Sequence, residues 1–462
     1  MTSILSAPQS PRDAAGAALT FATHLRQTLK LAVPMIIARA GLLIMVAVDT
    51  AMVGHYGTNS LAHYAAANAL QIILILVGVG LTQGTVIMVA QAVGAGDERT
   101  SGHIWRVGMV QGTVFGVLMG ILCLFGEPIL LAVGQTPELA AGGAGVLQWI
   151  SWGFPAFMMW ATTGFFLEGL GRPLPGMIMM FGAVLLNAFL NWVFIFGHLG
   201  APAMGAEGAA ITTSVVRWVM LAALIAYVLW LPDGHKFGIR GPIESALALA
   251  RKHRRIGYPL GLARGLEVAA FSALTMFAGW LGTVPLAGYQ IAFNLIGLAF
   301  MCAIGTSSAA TVRVGNAIGR GNAIDVSRAG WTGVLIIVVI MLCIMGPYMG
   351  FGDALASIYS DDPAVIPVAA ALIAITGFVL VFDGVQAVLM GCLRGSGDVW
   401  FPSALQLLAW WGLSVPIGWA LAFPGGAGAN GLMWAVLVGA FAASVSLGVR
   451  FSIISRRPGR RI

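Results

Sequence analysis

Three acidic residues lie inside long apolar segments: Asp49 within LLIMVAVDTAMVG (residues 42–54), Glu267 and Asp383. A carboxylate at the centre of a bilayer costs about 2.5–3.5 kcal/mol on insertion scales, so residues of this kind usually serve a function. In a medium of low dielectric constant a carboxylate holds a proton more tightly than in water, and with further oxygen ligands it can bind Na+. The three acids therefore predict reversible binding of H+ or Na+, which is the chemistry of a coupling site in secondary transport.

Structural ion pairs are the alternative interpretation of these acids. Arg264 precedes Glu267 by three residues, which places both on the same face of a helix. Arg39 precedes Asp49 by ten residues, or about 15 Å along a helix, and Arg394 follows Asp383 by eleven residues, or about three turns. An ion pair is therefore the weaker alternative for Asp49 and Asp383. Glu168 lies at the end of an apolar segment, where we expect water to reach it, and it is the weakest candidate.

The elements that hold these acids are predicted from composition. The chain has 462 residues, of which 59% are hydrophobic and 9% are charged, whereas soluble domains carry roughly 25% charged residues. The sequence therefore predicts a polytopic membrane protein. A span needs about 20 apolar residues, and we predict twelve spans, at residues 31–54, 64–91, 104–126, 143–168, 174–197, 207–231, 256–281, 285–312, 329–350, 364–393, 400–423 and 430–454.

The positions of Lys and Arg predict the orientation. Loops after the odd-numbered spans contain neither residue, whereas the basic residues fall in the N-terminal arm, the loops after even-numbered spans and the C-terminal tail. This positive-inside pattern predicts that both termini are cytoplasmic. The net charge of +7 then faces lipid headgroups and the cytoplasm, so we expect no nucleic-acid partner.

The sequence also contains an internal repeat. At a shift of 225 residues, Pro34 aligns with Pro259, Arg39 aligns with Arg264, and GTNSLAHY (57–64) aligns with GTVPLAGY (282–289). We predict an all-α membrane protein with two six-helix bundles related by a pseudo-two-fold axis along the membrane normal. The predicted organisation is an N-terminal arm (1–30), a first bundle (31–231), a basic linker (232–255), a second bundle (256–454) and a basic tail (455–462).

The repeat separates architectural residues from the others. Pro34 and Pro259 are present in both halves and are predicted to kink equivalent helices and to act as hinges. Arg39 and Arg264 are also present in both halves, and we interpret them as packing or snorkelling residues. The three acids have no acidic counterparts: Asp49 aligns with a leucine, Glu267 aligns with a leucine, and Asp383 has no matching acid in the fourth span. The fold therefore does not require them for packing.

Four segments, VDTAMVGHYG (48–57), AGYQIAFN (287–294), TVRVGNAIGRGN (311–322) and LRGSGD (393–398), resemble the multidrug and toxic compound extrusion (MATE) family. The resemblance covers nearly the whole chain. It implies a multi-pass exporter of the bacterial inner membrane that moves organic, mostly cationic or amphipathic compounds in exchange for H+ or Na+. We expect small-molecule substrates, contact with membrane lipid, a monomer and no cofactor.

The acids favour the NorM-type branch of that family, in which acids are expected in the first, seventh and tenth spans, where Asp49, Glu267 and Asp383 lie. The DinF-type branch is expected to carry N-x-x-x-D in the fifth span, and here that motif is NAFLN (187–191). Na+-coupled relatives resemble one another in having Tyr at the position of Val379. The absence of the tyrosine oxygen here favours H+ coupling, or coupling to both ions, over Na+ alone at Glu267 and Asp383. The substrate cavity is assigned to the polar residues Asn187, Asn191, Gln290 and Asn294.

Three other functions fit the sequence less well. A lipid-linked oligosaccharide flippase of the same superfamily should have more basic residues in its spans. A major-facilitator transporter should carry G-x-x-x-D-R-x-G-R after its second span, where this chain reads VGAGDERTSG (93–102). A membrane-embedded enzyme should cluster polar catalytic groups, which the scattered histidines do not suggest. The sequence has no phosphate-binding loop of the G-x-x-x-x-G-K-[ST] type, so we expect no use of ATP through that motif.

Overall fold

The computed structural model describes residues 19–240 and 246–456, and within these ranges it contains helices and loops but no strand. Residues 1–18 of the predicted arm, 241–245 of the linker and 457–462 of the tail lie outside the described residues. The helices are α1 (Phe21–Tyr56), α2 (Thr58–Thr82), α3 (Gly84–Gly94), α4 (Thr100–Leu124), α5 (Gly126–Ala132), α6 (Pro137–Ser151), α7 (Gly153–Gly169), α8 (Leu174–Phe196), α9 (Gly205–Leu229), α10 (Ala246–Trp280), α11 (Thr283–Arg320), α12 (Ala323–Gly350), α13 (Gly352–Ser357), α14 (Val365–Gly395), α15 (Trp400–Leu407), α16 (Val415–Ala422) and α17 (Gly428–Ser455), with a π-helical segment, Leu408–Ser414, between α15 and α16.

Eleven helical segments of the described chain are long and apolar enough to cross a membrane. The fourth predicted span, 143–168, falls on α6 and α7, which have 15 and 17 residues and are separated at Trp152. A span needs about 20 residues, so neither helix meets that length alone. The predicted all-helical membrane class is confirmed. The number of helical segments long enough to span a membrane is eleven, whereas we predicted twelve spans.

Local sequence signals set the ends of the helices that matter most for the site. Thr20 precedes α1, and its side-chain oxygen accepts a 3.4 Å hydrogen bond from the backbone N–H of Thr23. Asn322 caps α12 in the same way, accepting from the backbone N–H of Asp325 at 3.1 Å. Helix α11 ends at Arg320 and is followed by Gly321, whose φ of 72° is left-handed. That conformation favours glycine because glycine has no Cβ. The turn between α11 and α12 is therefore tightly specified.

Buried apolar side chains form two clusters. Apart from Ala309, Val312 and Val399, the first cluster is made of residues between 31 and 260. The second is made of residues between 270 and 451. The division between the clusters falls within α10, whose first half packs with the N-terminal part of the chain and whose second half packs with the C-terminal part.

The loops that the charge pattern predicts on one side of the membrane lie together. Arg172, after α7, donates a 3.1 Å hydrogen bond to Asp233, which follows α9. Gln91, at the end of α3, donates to the backbone oxygen of Gly395, at the end of α14, at 3.0 Å. The second contact joins the N-terminal and C-terminal parts of the chain, so the basic loops of both parts share one end of the molecule, which we name the basic end.

The two parts meet along a seam in which α1 packs on α11, α2 on α10 and α3 on α11. Glycines allow the helices to approach closely. A Cβ at Gly80 would lie 2.7 Å from Cα of Gly261, and one at Gly94 would collide with the backbone of Asn316. These contacts lie in the halves of the helices nearer the basic end, so the molecule is closed there.

Helix α1 continues through Pro34, and α10 continues through Pro259. Both prolines are buried. A proline inside a helix removes one backbone donor and crowds the carbonyl four residues earlier, which weakens the helix locally. The role of the two prolines as hinges stays a prediction.

Candidate functional site: buried carboxylates in both halves

Asp49 lies in the second half of α1 and is 2% exposed. Its Oδ1 accepts a 2.6 Å hydrogen bond from the side-chain amide of Asn191 on α8. Its Oδ2 accepts from the hydroxyl of Tyr64 on α2 at 3.3 Å and from the hydroxyl of Thr213 on α9 at 3.2 Å. Four helices thus meet at one carboxylate, and all three donors are neutral.

The two asparagines assigned to the substrate cavity belong to this cluster. The side-chain oxygen of Asn187 accepts from Asn191 at 3.3 Å, and both residues are fully buried. Gln290 and Asn294 lie elsewhere, on the first turns of α11, where both are exposed. The side-chain oxygen of Asn294 accepts a 3.0 Å hydrogen bond from the hydroxyl of Tyr359. The structure therefore brings together only two of the four residues.

Arg217 is a buried cation near Asp49 that the pattern of acids in the sequence does not reveal. It follows Thr213 by one turn of α9 and is 4% exposed. Its guanidinium lies over the rings of Phe154 and Phe157, at 5.6 and 5.1 Å from their centroids, which stabilises a cation in an apolar setting. Arg217 is close enough to Asp49 for their charges to interact. The available signal in the sequence was a basic residue inside the predicted span 207–231.

Glu267, on α10, is 8% exposed, and both of its carboxylate oxygens are occupied. Oε2 accepts a 2.6 Å charge-assisted hydrogen bond from Arg264, and Oε1 accepts from the side-chain amide of Gln406 at 3.0 Å. The ion pair with Arg264, which was the alternative interpretation of Glu267 from the sequence, is therefore present. It also makes Arg264 more than a packing residue.

A π-helical segment, Leu408–Ser414, directly follows the helix that carries Gln406. The indole N–H of Trp411 in this segment donates to the backbone oxygen of Leu266 at 2.9 Å. The eleventh predicted span is therefore attached to α10 at Glu267 itself and at the neighbouring Leu266. π-Helical turns often occur at functional sites, and the sequence pattern gave no sign of this one.

Asp383, on α14, is 5% exposed, and its Oδ1 accepts a 2.8 Å hydrogen bond from the side-chain amide of Gln386. Glu267 is close enough for the two charges to interact. Val379, one turn before Asp383, is buried and offers no oxygen. In the part of the chain that the structure describes, no group of three or more His, Cys, Asp or Glu is arranged to hold a metal ion.

Arg39 and Glu168 form an ion pair between α1 and α7, with 3.1 Å between Nη2 and Oε1. The guanidinium of Arg39 also lies 5.7 Å from the ring centroid of Phe165. Glu168 is therefore neutralised by Arg39 instead of standing in water, and Arg39 is a partner in an ion pair instead of a snorkelling residue. The sequence concealed this pair because the partners are far apart along the chain.

A second polar cluster closes the basic end. The carboxylate of Asp325 at the start of α12 contacts the imidazole of His24 at 3.3 Å, the guanidinium of Arg320 at 3.2 Å and the backbone N–H of Leu19 at 2.9 Å. The other ring nitrogen of His24 lies 3.0 Å from Arg313. Since an arginine can only donate, His24 accepts with Nδ1 and donates with Nε2 to Asp325. These contacts fix the start of α1 to the turn between α11 and α12.

The fold and the buried acids define the class: a polytopic helical membrane protein with titratable carboxylates in both halves. The MatE family model matches the chain twice, at residues 34–193 and 259–420. The two matches begin 225 residues apart, which is the shift of the internal repeat.

Relatives agree with that match. The chain is 32% identical over 455 residues to the probable multidrug resistance protein NorM of Caulobacter vibrioides, with 97% of each chain covered. It is 35% identical over 411 residues to the probable multidrug resistance protein NorM of Mesorhizobium japonicum, with 87% of each covered. Its fold is similar to the eukaryotic MATE transporter AtDTX14 (TM-score 0.85, 21% identity, 93% and 96% covered) and to a mutant of the Vibrio cholerae MATE transporter VcmN (TM-score 0.85, 19% identity, 94% and 97% covered).

The chain therefore belongs to the MatE family, which groups it with multidrug efflux transporters and not with enzymes. The predicted family and its NorM-type resemblance are confirmed.

Proposed function

We propose that this protein is a secondary active antiporter that exports organic, mostly cationic or amphipathic compounds in exchange for H+. The observation that supports the proposal best is the environment of Asp49. The carboxylate is deeply buried and accepts hydrogen bonds from neutral groups. The nearby Arg217 forms no ion pair with it in the described structure, so Asp49 can gain or lose a proton without breaking an ion pair. Export would then follow from proton movement through this site, with no need for ATP.

The C-terminal acids are proposed as the second half of the coupling site. Na+ needs several free oxygen ligands, but both oxygens of Glu267 are occupied by Arg264 and Gln406. The buried Val379 adds none. These contacts favour H+ over Na+ at Glu267 and Asp383, with Na+ as the alternative ion.

The proposed architecture is twelve spans in two six-helix bundles that alternate access to the two sides of the membrane. Helices α6 and α7 together would form the fourth span in chain order, which brings the number of spans to twelve. The two apolar clusters and the repeated family match support the division into bundles. With the basic loops in the cytoplasm of a bacterial cell, as their Lys and Arg content favours, both termini would be cytoplasmic. The closed seam at the basic end then corresponds to the outward-facing state of a monomer.

The test is transport of ethidium by the purified protein in proteoliposomes, with an imposed pH gradient or an imposed Na+ gradient. We expect the pH gradient to drive export and Asp49→Asn to abolish it. Asp97→Asn is the matched control, since Asp97 is exposed near the basic end. Export by Asp49→Asn at the wild-type rate would contradict the role of Asp49. Export driven by Na+ alone would replace H+ as the coupling ion.

A further inference from the structure

Arg394 is a buried arginine without a carboxylate partner. It is 5% exposed on α14, and its Nη1 donates a 3.3 Å hydrogen bond to the side-chain oxygen of Gln83. Its Nε is buried and has no hydrogen-bond partner in the described structure. By contrast, Arg39 is paired with Glu168 and Arg264 with Glu267.

No nearby acid can take the missing place. Glu267 acts electrostatically on Arg394, but its two oxygens already accept from Arg264 and Gln406. Within the described ranges no carboxylate oxygen lies within 4 Å of Arg394. A buried charge without a partner is strongly unfavourable, so a compensating charge is expected at this guanidinium.

Arg394 lines a cavity of about 20 Å³ inside the seam. Gln83 and Phe165 contribute from the N-terminal half, and Ser307 and Ser308 contribute from the C-terminal half. The hydroxyl of Ser307 already donates to a backbone oxygen at 2.6 Å, whereas that of Ser308 makes no hydrogen bond to the described residues. A void of this size holds about one water molecule or one monatomic ion.

We infer that this cavity binds a monatomic anion of the size of chloride, held by Arg394 and the hydroxyl of Ser308. A water molecule could accept from Nε but would leave the positive charge unbalanced, whereas a halide does both. The small free volume favours a monatomic anion over a phosphate or an organic acid. Because the walls come from both halves, the anion stabilises the closed seam at the basic end. Anion binding of this kind is separate from the proposed H+ coupling at Asp49.

The first experiment measures the melting temperature (Tm) of the purified wild-type protein in detergent. Samples contain sodium chloride, sodium bromide or sodium gluconate at the same pH and ionic strength. We expect a saturable rise in Tm with chloride and with bromide but not with gluconate, since gluconate does not fit the cavity. Equal Tm values in all three salts would overturn the proposal without bearing on the transport assay.

Variants locate the effect. Arg394→Gln should lose the halide-dependent shift, and Ser308→Ala should weaken the halide affinity by about threefold to tenfold. Arg450→Gln is the matched control and should keep the shift. Arg450 forms a 2.8 Å ion pair with Asp398, and this pair lies away from the seam. If Arg394→Gln does not fold, the halide-dependent Tm shifts of the wild type and of Ser308→Ala still test the proposal. Crystals soaked in bromide should show anomalous density beside Arg394; bromide found only at other positions would contradict the site.

Discussion

The side-chain amide of Asn191 donates a 2.6 Å hydrogen bond to Asp49, which is the shortest of the contacts that α2, α8 and α9 make with this acid. Asn191 occupies the position at which the DinF-type motif has its aspartate. The structure therefore places a neutral amide where that branch is expected to carry a second carboxylate. Among the described residues of the N-terminal half, Asp49 is the one buried acid, and Asn191 makes the shortest of its hydrogen bonds to neutral donors.

Asn191→Ala is expected to reduce ethidium export markedly. The variant removes one donor to an ionisable acceptor, and such hydrogen bonds contribute about 1.5–3 kcal/mol, or tenfold or more in an equilibrium constant. Initial rates in proteoliposomes under a pH gradient provide the measurement. Asn59→Ala, at an exposed position at the start of α2, is the control and should retain its rate. If both variants transport equally well, Asn191 does not support the function of Asp49.

The Arg264–Glu267 pair should contribute to stability in a non-additive way. Arg264→Met leaves Glu267 buried and unpaired, which should cost about 3–5 kcal/mol in the free energy of unfolding. The double variant Arg264→Met/Glu267→Met should cost less than the single change, because no isolated charge remains.

Unfolding in detergent, followed by denaturant titration, measures both effects. The Arg450–Asp398 pair is the comparison, since it is more exposed and removing one partner there should cost at most about 1 kcal/mol. Strict additivity of the Arg264 and Glu267 changes would rule out the coupling between them.

Much of the fold was predictable from the sequence because it depends on local composition. Apolar length and the distribution of Lys and Arg predicted the spans, and the alignment of Pro34 with Pro259 predicted the repeat that the family model then matched. The lack of a mirrored partner identified Asp49. The break at Trp152 was not predicted, because the apolar run continues across it.

Most hydrogen-bond partners of the acids could not be predicted from the sequence. Arg264 was foreseen for Glu267, because a spacing of three residues fixes a contact within one helix. Tyr64, Thr213 and Gln406 were not, since their contacts depend on how separate helices pack. The pairing of Arg39 with Glu168 joins residues 129 apart, and no periodicity reveals such a contact.

Gly80→Leu should disrupt the closed seam. A Cβ at Gly80 would lie 2.7 Å from Cα of Gly261, so a larger side chain must push α2 away from α10. Overpacking typically costs about 1–3 kcal/mol, and we expect a lower Tm and slower ethidium export. Gly297→Leu is the matched control, because a Cβ at that position of α11 meets nothing within 4 Å. Equal losses in both variants would show that leucine is harmful in any span and not at the seam in particular.

Asp325→Asn should open the basic end. The carboxylate accepts from Leu19 and Arg320 and contacts His24, so it joins the start of α1 to the turn between α11 and α12. The asparagine keeps the shape but loses the charge, and each hydrogen bond to a charged group contributes about 1.5–3 kcal/mol. We therefore expect the population that is open at the basic end to rise about tenfold or more.

A cysteine at position 316 reports that opening, because the backbone of Asn316 lies against Gly94 across the seam. The four native cysteines are first replaced by alanine, and Asn316→Cys is labelled with a membrane-impermeant maleimide in everted vesicles, where the cytoplasmic face is outside. Labelling should be faster when Asp325→Asn is added, and unchanged when Asp353→Asn is added, since Asp353 is exposed and lies outside this cluster. Equal rates with both changes would mean that the contacts of Asp325 do not hold the seam closed, and that the glycine packing of α2, α3, α10 and α11 is sufficient.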